Sequence, residues 1–350
     1  MKIFKNKSNF LQKVCLSLVL SSLLHAQVND FNCKVMRTTF HQPLPQPKTL
    51  VRVPSSSVRI AYFIMVHDES EQFIRMFRKI YTRDQFYLIH VDRKANEEVT
   101  ERIQGFLIQY PNAYILESMN ITSGGFNMVQ IELNAMEFLL NVSNEWEYFI
   151  NLSGEDYPLK SQTIIRKFLT AQNGKNYLFY YDQKFYRPDT LKRIQNHFTE
   201  LAFRISSFIY KREFMKDVIP FIGGKWMILT RDTCSFLCNS ERVMAFEDYY
   251  LHTLLPAESF FQTVLMNTPF HSVIVNDDKR AIIDINALNI TDAASVFENY
   301  LKSNNHLFIR KLNYNNHQDL LKYIDENFHS ELPDINDVDK ELRNNLGQNN

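Results

Sequence analysis

Five short stretches carry the side chains most able to do chemistry. In "TLLPAESFFQTVL" (253–265) one acid, Glu258, stands among Ser259, Phe260 and Phe261. Two readings of it are open. It is a first-turn acid complementing a helix dipole behind Pro256, or a general base taking the proton of a hydroxyl. "IHVDRKA" (89–95) ends an apolar run with His90 and Asp92. A carboxylate there can take the hydroxyls of a ribose or the N–H of a base, or cap a loop. In "FINLSGEDYPLK" (149–160) Asp156 either holds a sugar hydroxyl or braces the turn. "FIGGKWMILTR" (221–231) sets Lys225 and Trp226 behind two glycines, and that indole either stacks on a sugar face or fills the core. "IRKL" (309–312) pairs Arg310 with Lys311, a solvated pair or a clamp on a diphosphate.

The elements that must position them alternate in type. Apolar, β-rich runs cover 60–66, 86–91, 148–152, 226–230 and 272–275. Helical periodicity covers 71–80, 97–109, 128–141, 162–169, 190–215 and 259–266. Strand–helix alternation with unbroken apolar strands predicts an α/β sheet covered by helices. Ligands of such sheets bind beyond the carboxyl ends of the strands. The loops there, 67–70, 92–96, 153–160 and 276–280, hold most of the polar groups named above.

Composition removes several classes. The 350 residues are 45% hydrophobic, enough for a sizeable core, and the 39 basic residues balance 39 acidic ones. A chain without net charge has no global field to gather nucleic acid. The eight glycines build neither a dinucleotide fingerprint nor a P-loop. The four cysteines, Cys15, Cys33, Cys234 and Cys238, have no zinc spacing. Cys234 and Cys238 read as buried thiols on one helix face.

Residues 1–26 combine lysines 2, 5, 7 and 13 with a short apolar run from Val14 to Leu24. This reads as a secretory signal peptide, with an uncleaved type II anchor as the alternative. Residues 27–57 are rich in proline and serine and suit an extended stem. The folded domain is expected over 58–330 and a polar tail over 331–350. In an oxidising lumen the sequons at Asn120, Asn141, Asn151 and Asn289 would meet the glycosylation machinery, although Asn151 falls inside a strand pattern that argues against its use.

Six segments occur in one order: "RIAYFIMVHDE", "FYLIHVDRKA", "WEYFINLSGEDYPLK", "GGKWMILTR", "LLPAESFFQTVLMNTPF" and "LFIRKL". Together, over about 58–325, they resemble the Golgi family of core-2/I-branching β1,6-N-acetylglucosaminyltransferases and peptide O-xylosyltransferases, and "TLLPAESFFQTVLMN" is most similar to the xylosyltransferase branch. The resemblance implies a GT-A-type α/β fold and inverting transfer from a UDP-sugar, xylose or N-acetylglucosamine, to a hydroxyl of a protein or O-glycan. It implies no metal cofactor; no D-x-D stands at the matching strand end, and the adjacent acids of "VNDDKR" (275–280) lie elsewhere. Asp92 matches the acid that contacts the nucleoside, Val66 the backbone beside the uracil with His67 following it, and Glu258 the catalytic base. Arg310 and Lys311 match the cations that hold the diphosphate. Asp156, Lys225 and Trp226 are candidates for the sugar or acceptor. The implied location is the Golgi membrane or lumen, or outside the cell if the leader is cleaved.

Three positions depart from the family pattern. Ser123 replaces an aromatic residue before Gly124-Gly125, Lys225 stands where the xylosyltransferase branch has the acid of Ser-Asp-Trp, and "AIIDIN" replaces an asparagine-tryptophan pair. Two rival readings follow: a non-catalytic sugar-binding relative, and a glycoside hydrolase using Glu258 and Asp156 as its carboxyl pair.

Overall fold

A computed structural model describes residues 57–68, 70–119, 121–172, 174–201, 204–282 and 306–327. The leader, the stem before Ser57, the tail, Cys15, Cys33, Asn120 and Asn289 lie outside the described residues.

Seven strands form the central sheet in the order β12-β6-β11-β4-β1-β2-β3. They are β1 (Ile60–Val66), β2 (Phe86–Val91), β3 (Ala113–Leu116), β4 (Tyr148–Ser153), β6 (Asn176–Leu178), β11 (Met227–Thr230) and β12 (Ile274–Val275). β1 pairs in parallel with both β2 and β4, and β2 with β3. Strands buried on both faces need apolar residues at every position, which is why β1 reads IAYFIMV and β2 FYLIHV. β11 runs antiparallel between β4 and β6.

Helices Ser70–Ile80 and Glu97–Leu107 carry the chain outward from β1 to β3, and helix Asn127–Val142 brings it back to β4 on the other side of β1. This reversal creates a switch point between β1 and β4, where open α/β sheets bind ligands. The register aligns Val66 with Val91 and Met65 with Ser153, so the loops after all three strands open at one edge.

A smaller sheet completes that edge. β14 (Phe308–Arg310) pairs antiparallel with β5 (Tyr157–Pro158) and parallel with β13 (Arg280–Ile282). It delivers Arg310 beside the 155–157 turn from a distant part of the chain. Two further ribbons are β7 (Tyr181–Asp182) against β10 (Phe221–Ile222), and β8 (Asn196–Leu201) against β9 (Arg204–Lys211).

That last hairpin corrects the expected helix over 190–215. Only Lys192–Gln195 is α-helical there. The segment that follows contains β-branched and aromatic residues in near alternation, and a local partner strand satisfies its backbone. Helices Arg231–Asn239 and Glu241–Tyr250 were absent from the periodicity reading. The first carries Cys234 and Cys238, both free thiols; Cys234 is buried as expected, while Cys238 is only partly so. The expected strand over 272–275 is a 3-10 turn leading into the two residues of β12. Asn151 is fully buried in β4, in keeping with the argument against glycosylation there.

Candidate active site

At the switch point Asp92 leaves the end of β2. Its N–H donates to the Val66 carbonyl at 2.9 Å, tying the β1 and β2 termini together. Its Oδ1 accepts the Lys94 N–H at 2.9 Å, and its Oδ2 lies 3.9 Å from His67 Nδ1. Val66, His67 and Asp92 therefore form one cluster. His90, one strand position earlier, belongs to the support beneath it. Its Nε2 accepts the Met119 N–H at 3.0 Å, and burial pushes its pKa down to about 4.

A second group centres on Trp226. The Arg310 guanidinium lies 3.9 Å above the indole centroid, Lys225 Nζ 4.7 Å from it and Arg280 Cζ 5.4 Å from it. Two of the three cationic side chains that sequence placed near the sugar or diphosphate, Lys225 and Arg310, thus share one aromatic surface. Arg310 also faces Asp156 at 3.7 Å and Glu155 at 3.9 Å, both beyond hydrogen-bonding distance.

Asp156 braces its turn through one carboxylate oxygen. It is fully buried, and its Oδ2 accepts both the Ser153 N–H (2.6 Å) and the Ser153 hydroxyl (2.8 Å). Among the described residues its Oδ1 and Arg310 Nη1 are buried without hydrogen-bond partners, which leaves donor and acceptor capacity at this edge. Lys311 points away. Its side chain is 66% exposed and pairs with Glu155 at 3.1 Å.

Beneath Trp226 lies a charged layer that sequence reading missed. Glu132, from helix Asn127–Val142, accepts the Asn151 side-chain N–H at 2.8 Å. The same amide donates to the Lys225 carbonyl and accepts the Met227 N–H. Burial raises the Glu132 pKa to about 7, against the pull of Asn151, Lys225 and Arg280. Burial likewise lowers the pKa of Lys225.

Glu258 closes the site from the other side. It ends a 3-10 turn, Pro256–Glu258, ahead of the seven-residue helix Phe260–Met266. It therefore stands before the α-helix and not in its first turn. Its partner is a side chain that sequence did not nominate: Arg193 Nη1 donates to Oε2 at 2.7 Å. The carboxylate is 41% exposed. Among the described residues its Oε1 has no hydrogen-bond partner.

Backbone contacts fix this turn. Leu255 adopts a left-handed conformation (φ 53°), unusual for a γ-branched residue, and its N–H donates to the Gly124 carbonyl at 2.8 Å. Gly124 is itself left-handed (φ 83°), which explains a glycine there. The Glu258 carbonyl accepts the Gly223 N–H at 2.7 Å, and Gln262 Nε2 donates to Gly224 O at 2.6 Å. Two bonds thus join the Glu258 turn to the loop that leads into Lys225 and Trp226. Phe260 and Phe261 are buried, as expected of the packing behind the acid.

The family model for the Core-2/I-branching enzyme matches residues 60–284. The chain belongs to that family. Membership and the parallel-rich mixed sheet make the fold the expected GT-A-type α/β arrangement. Among curated relatives, "Xylosyltransferase" of Ciona intestinalis is 30% identical over 249 residues, covering 69% of this chain and 28% of the relative. "Xylosyltransferase 1" of Rattus norvegicus is 32% identical over 236 residues, covering 65% and 28%. The chain thus matches little more than a quarter of the length of these relatives. Among solved structures, apo mouse xyloside xylosyltransferase 1 aligns with a TM-score of 0.36 at 10% identity, over 73% of this chain and 98% of that one. A likeness that low carries no argument.

Set out along a Core-2/I-branching fold, the expected site residues fall into three places. Val66, His67 and Asp92 meet at the switch point. Asp156, Lys225, Trp226 and Arg310 meet at the small sheet. Glu258 stands across the 223–226 loop from them, and Lys311 is at the exposed rim, paired with Glu155. Arg193, Glu132, Glu155 and Arg280 join the site without a sequence signal, because each matters through a partner far away in the chain. Among the described residues, no helix is long and apolar enough to cross a membrane.

Proposed function

We infer that this chain is a glycosyltransferase of the secretory pathway, moving a sugar from a UDP-sugar to a hydroxyl of a glycoconjugate, with inversion and without a metal. The observation that carries this reading is Glu258: Arg193 holds one carboxylate oxygen, and the other is open on a turn bonded to the Trp226 loop.

An acceptor hydroxyl is a poor nucleophile until a placed carboxylate takes its proton. Glu258 receives that proton while the hydroxyl oxygen bonds to the anomeric carbon. The bond from that carbon to the diphosphate breaks on the opposite face, and UDP leaves with the electron pair. Arg310, held over Trp226, supports the charge that grows on the departing diphosphate. Asp92 and His67 take the nucleoside. Xylose is the favoured donor sugar, since the named relatives are xylosyltransferases; N-acetylglucosamine is the alternative. The hydrolase reading is weaker, because Asp156 is buried and committed to Ser153 and cannot serve as an acid in an open cleft.

The decisive experiment is a UDP-sugar panel read by donor hydrolysis and thermal shift, with Glu258→Gln beside the wild type. The variant should lose transfer by roughly 10²–10⁴-fold and keep its affinity for UDP. Near-native turnover would remove Glu258 as the base and favour a differently organised site, whereas no turnover by the wild type on any donor would favour the non-catalytic reading. EDTA should leave activity unchanged; activity lost to EDTA and restored by Mn²⁺ would contradict metal independence.

A further inference from the structure

Three buried hydroxyls stand behind the Glu258 turn, and none of the steps of transfer touches them. They belong to Tyr250, the last residue of helix Glu241–Tyr250, and to Ser259 and Thr263, four residues apart at the start of helix Phe260–Met266. Ser259 follows Glu258 directly and occupies the N-cap position of the second helix. A serine there ordinarily accepts a backbone N–H of the first turn. Here its hydroxyl donates instead to the Phe221 carbonyl at 2.7 Å. Thr263 donates to the same carbonyl at 3.1 Å and accepts the Phe221 N–H at 3.0 Å. The Tyr250 hydroxyl lies 3.0 Å from both Ser259 Oγ and Thr263 Oγ1. Two hydroxyls thus fill the two lone pairs of the Phe221 carbonyl, and the phenol proton serves their oxygens. Burial pushes the Tyr250 pKa up to about 12, so that proton stays in place throughout the neutral range.

This arrangement grips Glu258 from two sides. Phe221 belongs to β10, and two residues on, Gly223 donates its N–H to the Glu258 carbonyl at 2.7 Å. Glu258 is therefore tied to one end of this short stretch, and the residue after it to the other. The Tyr250 ring packs edge-on against Phe260 at 5.5 Å and Phe214 at 6.4 Å, which seats the phenol independently of its hydroxyl. Buried hydroxyls cost free energy unless they are satisfied, and a satisfied network selects one geometry over its neighbours. A phenylalanine at 250 would keep the packing and lose the selection.

We propose that Tyr250 is a positioning residue for the reaction, setting the Glu258 carboxylate through Ser259 and Thr263. The proposal rests on the transferase reading and adds the residue that aims its base. Arg193 holds the far end of the Glu258 side chain. The Tyr250 hydroxyl fixes the backbone from which that side chain springs. A displaced backbone moves the open carboxylate oxygen relative to the attacking hydroxyl, which slows proton transfer and leaves donor binding alone.

Hydrolysis of UDP-xylose and of UDP-N-acetylglucosamine by the full chain tests this, with water in place of the acceptor hydroxyl and Glu258 taking its proton. Tyr250→Phe should lower kcat roughly three- to tenfold and leave the donor KM and the affinity for UDP within about twofold. Ser259→Ala should act alike. Tyr62→Phe is the control. It removes a hydroxyl equally buried, bonded to Gln162 at 2.8 Å, and should leave kcat unchanged. Amide hydrogen exchange reads the turn itself: the Gly223 N–H should exchange faster in Tyr250→Phe and Ser259→Ala and not in Tyr62→Phe. Thermal melts check that the variants are folded. Wild-type kcat in Tyr250→Phe, an equal loss in Tyr62→Phe, a loss shared by kcat and UDP affinity, or unaltered Gly223 exchange would each overturn the proposal. A wild type that hydrolyses neither donor sinks the transferase reading instead, and exchange at Gly223 then decides whether Tyr250 holds the turn.

Discussion

Arg310 and Lys311 are adjacent in the chain, yet the fold buries one against Trp226 and leaves the other exposed. Arg310 is 13% exposed, stacked on Trp226 and only loosely opposed by Asp156 and Glu155. Lys311 spends its charge on Glu155 in solvent, where an ion pair is worth little and a flexible ammonium is not preorganised. Lys225 shares the indole with Arg310, but burial lowers its pKa and so weakens its hold on the charge that Arg310 keeps. We therefore expect Arg310→Ala to weaken UDP binding by about tenfold or more, Lys225→Ala to weaken it severalfold, and Lys311→Ala to change it by less than about twofold. Titration calorimetry with UDP reads all three. A Lys311 effect equal to that of Arg310 would contradict the assignment. Glu258, Asp92 and Trp226 were legible in the sequence because each stands in a motif with its own local logic. Arg193 was not: nothing around "LKRIQN" announces that its guanidinium ends on a carboxylate 65 residues later.

The elements that hold these residues depend on two glycine positions. A Cβ at Gly223 would lie 1.9 Å from the Phe179 carbonyl oxygen, a backbone atom that cannot swing aside as a side chain can. The crowding falls where β10 hands the chain to the Trp226 loop and where the Glu258 carbonyl is bound. Gly223→Ala should therefore part the Glu258 turn from the loop. Transfer should fall by about 10²-fold, while UDP affinity, which depends on the β1, β2 and β14 edge, changes little. Single-turnover transfer measured beside UDP titration would show this split; unchanged transfer would mean that the loop accommodates the methyl group without moving Glu258. Element boundaries were readable where burial is two-sided. β1 and β2 coincide with their apolar runs to the residue, because continuous burial favours apolar side chains, and the one polar residue in them, His90, is satisfied by the Met119 N–H. The β8–β9 hairpin was misread as a helix, because a segment of mixed propensity is decided by its partner strand, and pairing is not written in either strand alone. β5, β13 and β14 are two or three residues long and exist only through their long-range pairing.

Across the whole molecule the charges cancel, 39 against 39, but the interior concentrates them. Glu132, Asp156, Asp278 and Arg280 are all buried, joined through Asn151 and the Trp226 surface. Buried ionisable groups make stability depend on pH, and here two of them act in opposite directions. The Glu132 pKa is raised from an ordinary 4.5 to about 7. Its contribution is fully present below about 4.5 and is lost as pH rises through about 7. Against the pull of the Asp92 charge, burial lowers the His90 pKa from 6.5 to about 4. Its contribution is present above about 6.5 and is lost as pH falls through about 4. Each displacement corresponds to a few kcal/mol, and the two windows overlap almost completely. Stability of the wild type should therefore vary little between about pH 4.5 and 6.5, one loss offsetting the other. Glu132→Gln, which mimics the protonated carboxyl, should leave the histidine alone and make the melting temperature climb across that range. His90→Gln should leave the glutamate alone and make it fall. Melting curves at successive pH values measure both. Parallel slopes in the two variants would mean that other groups govern the pH response.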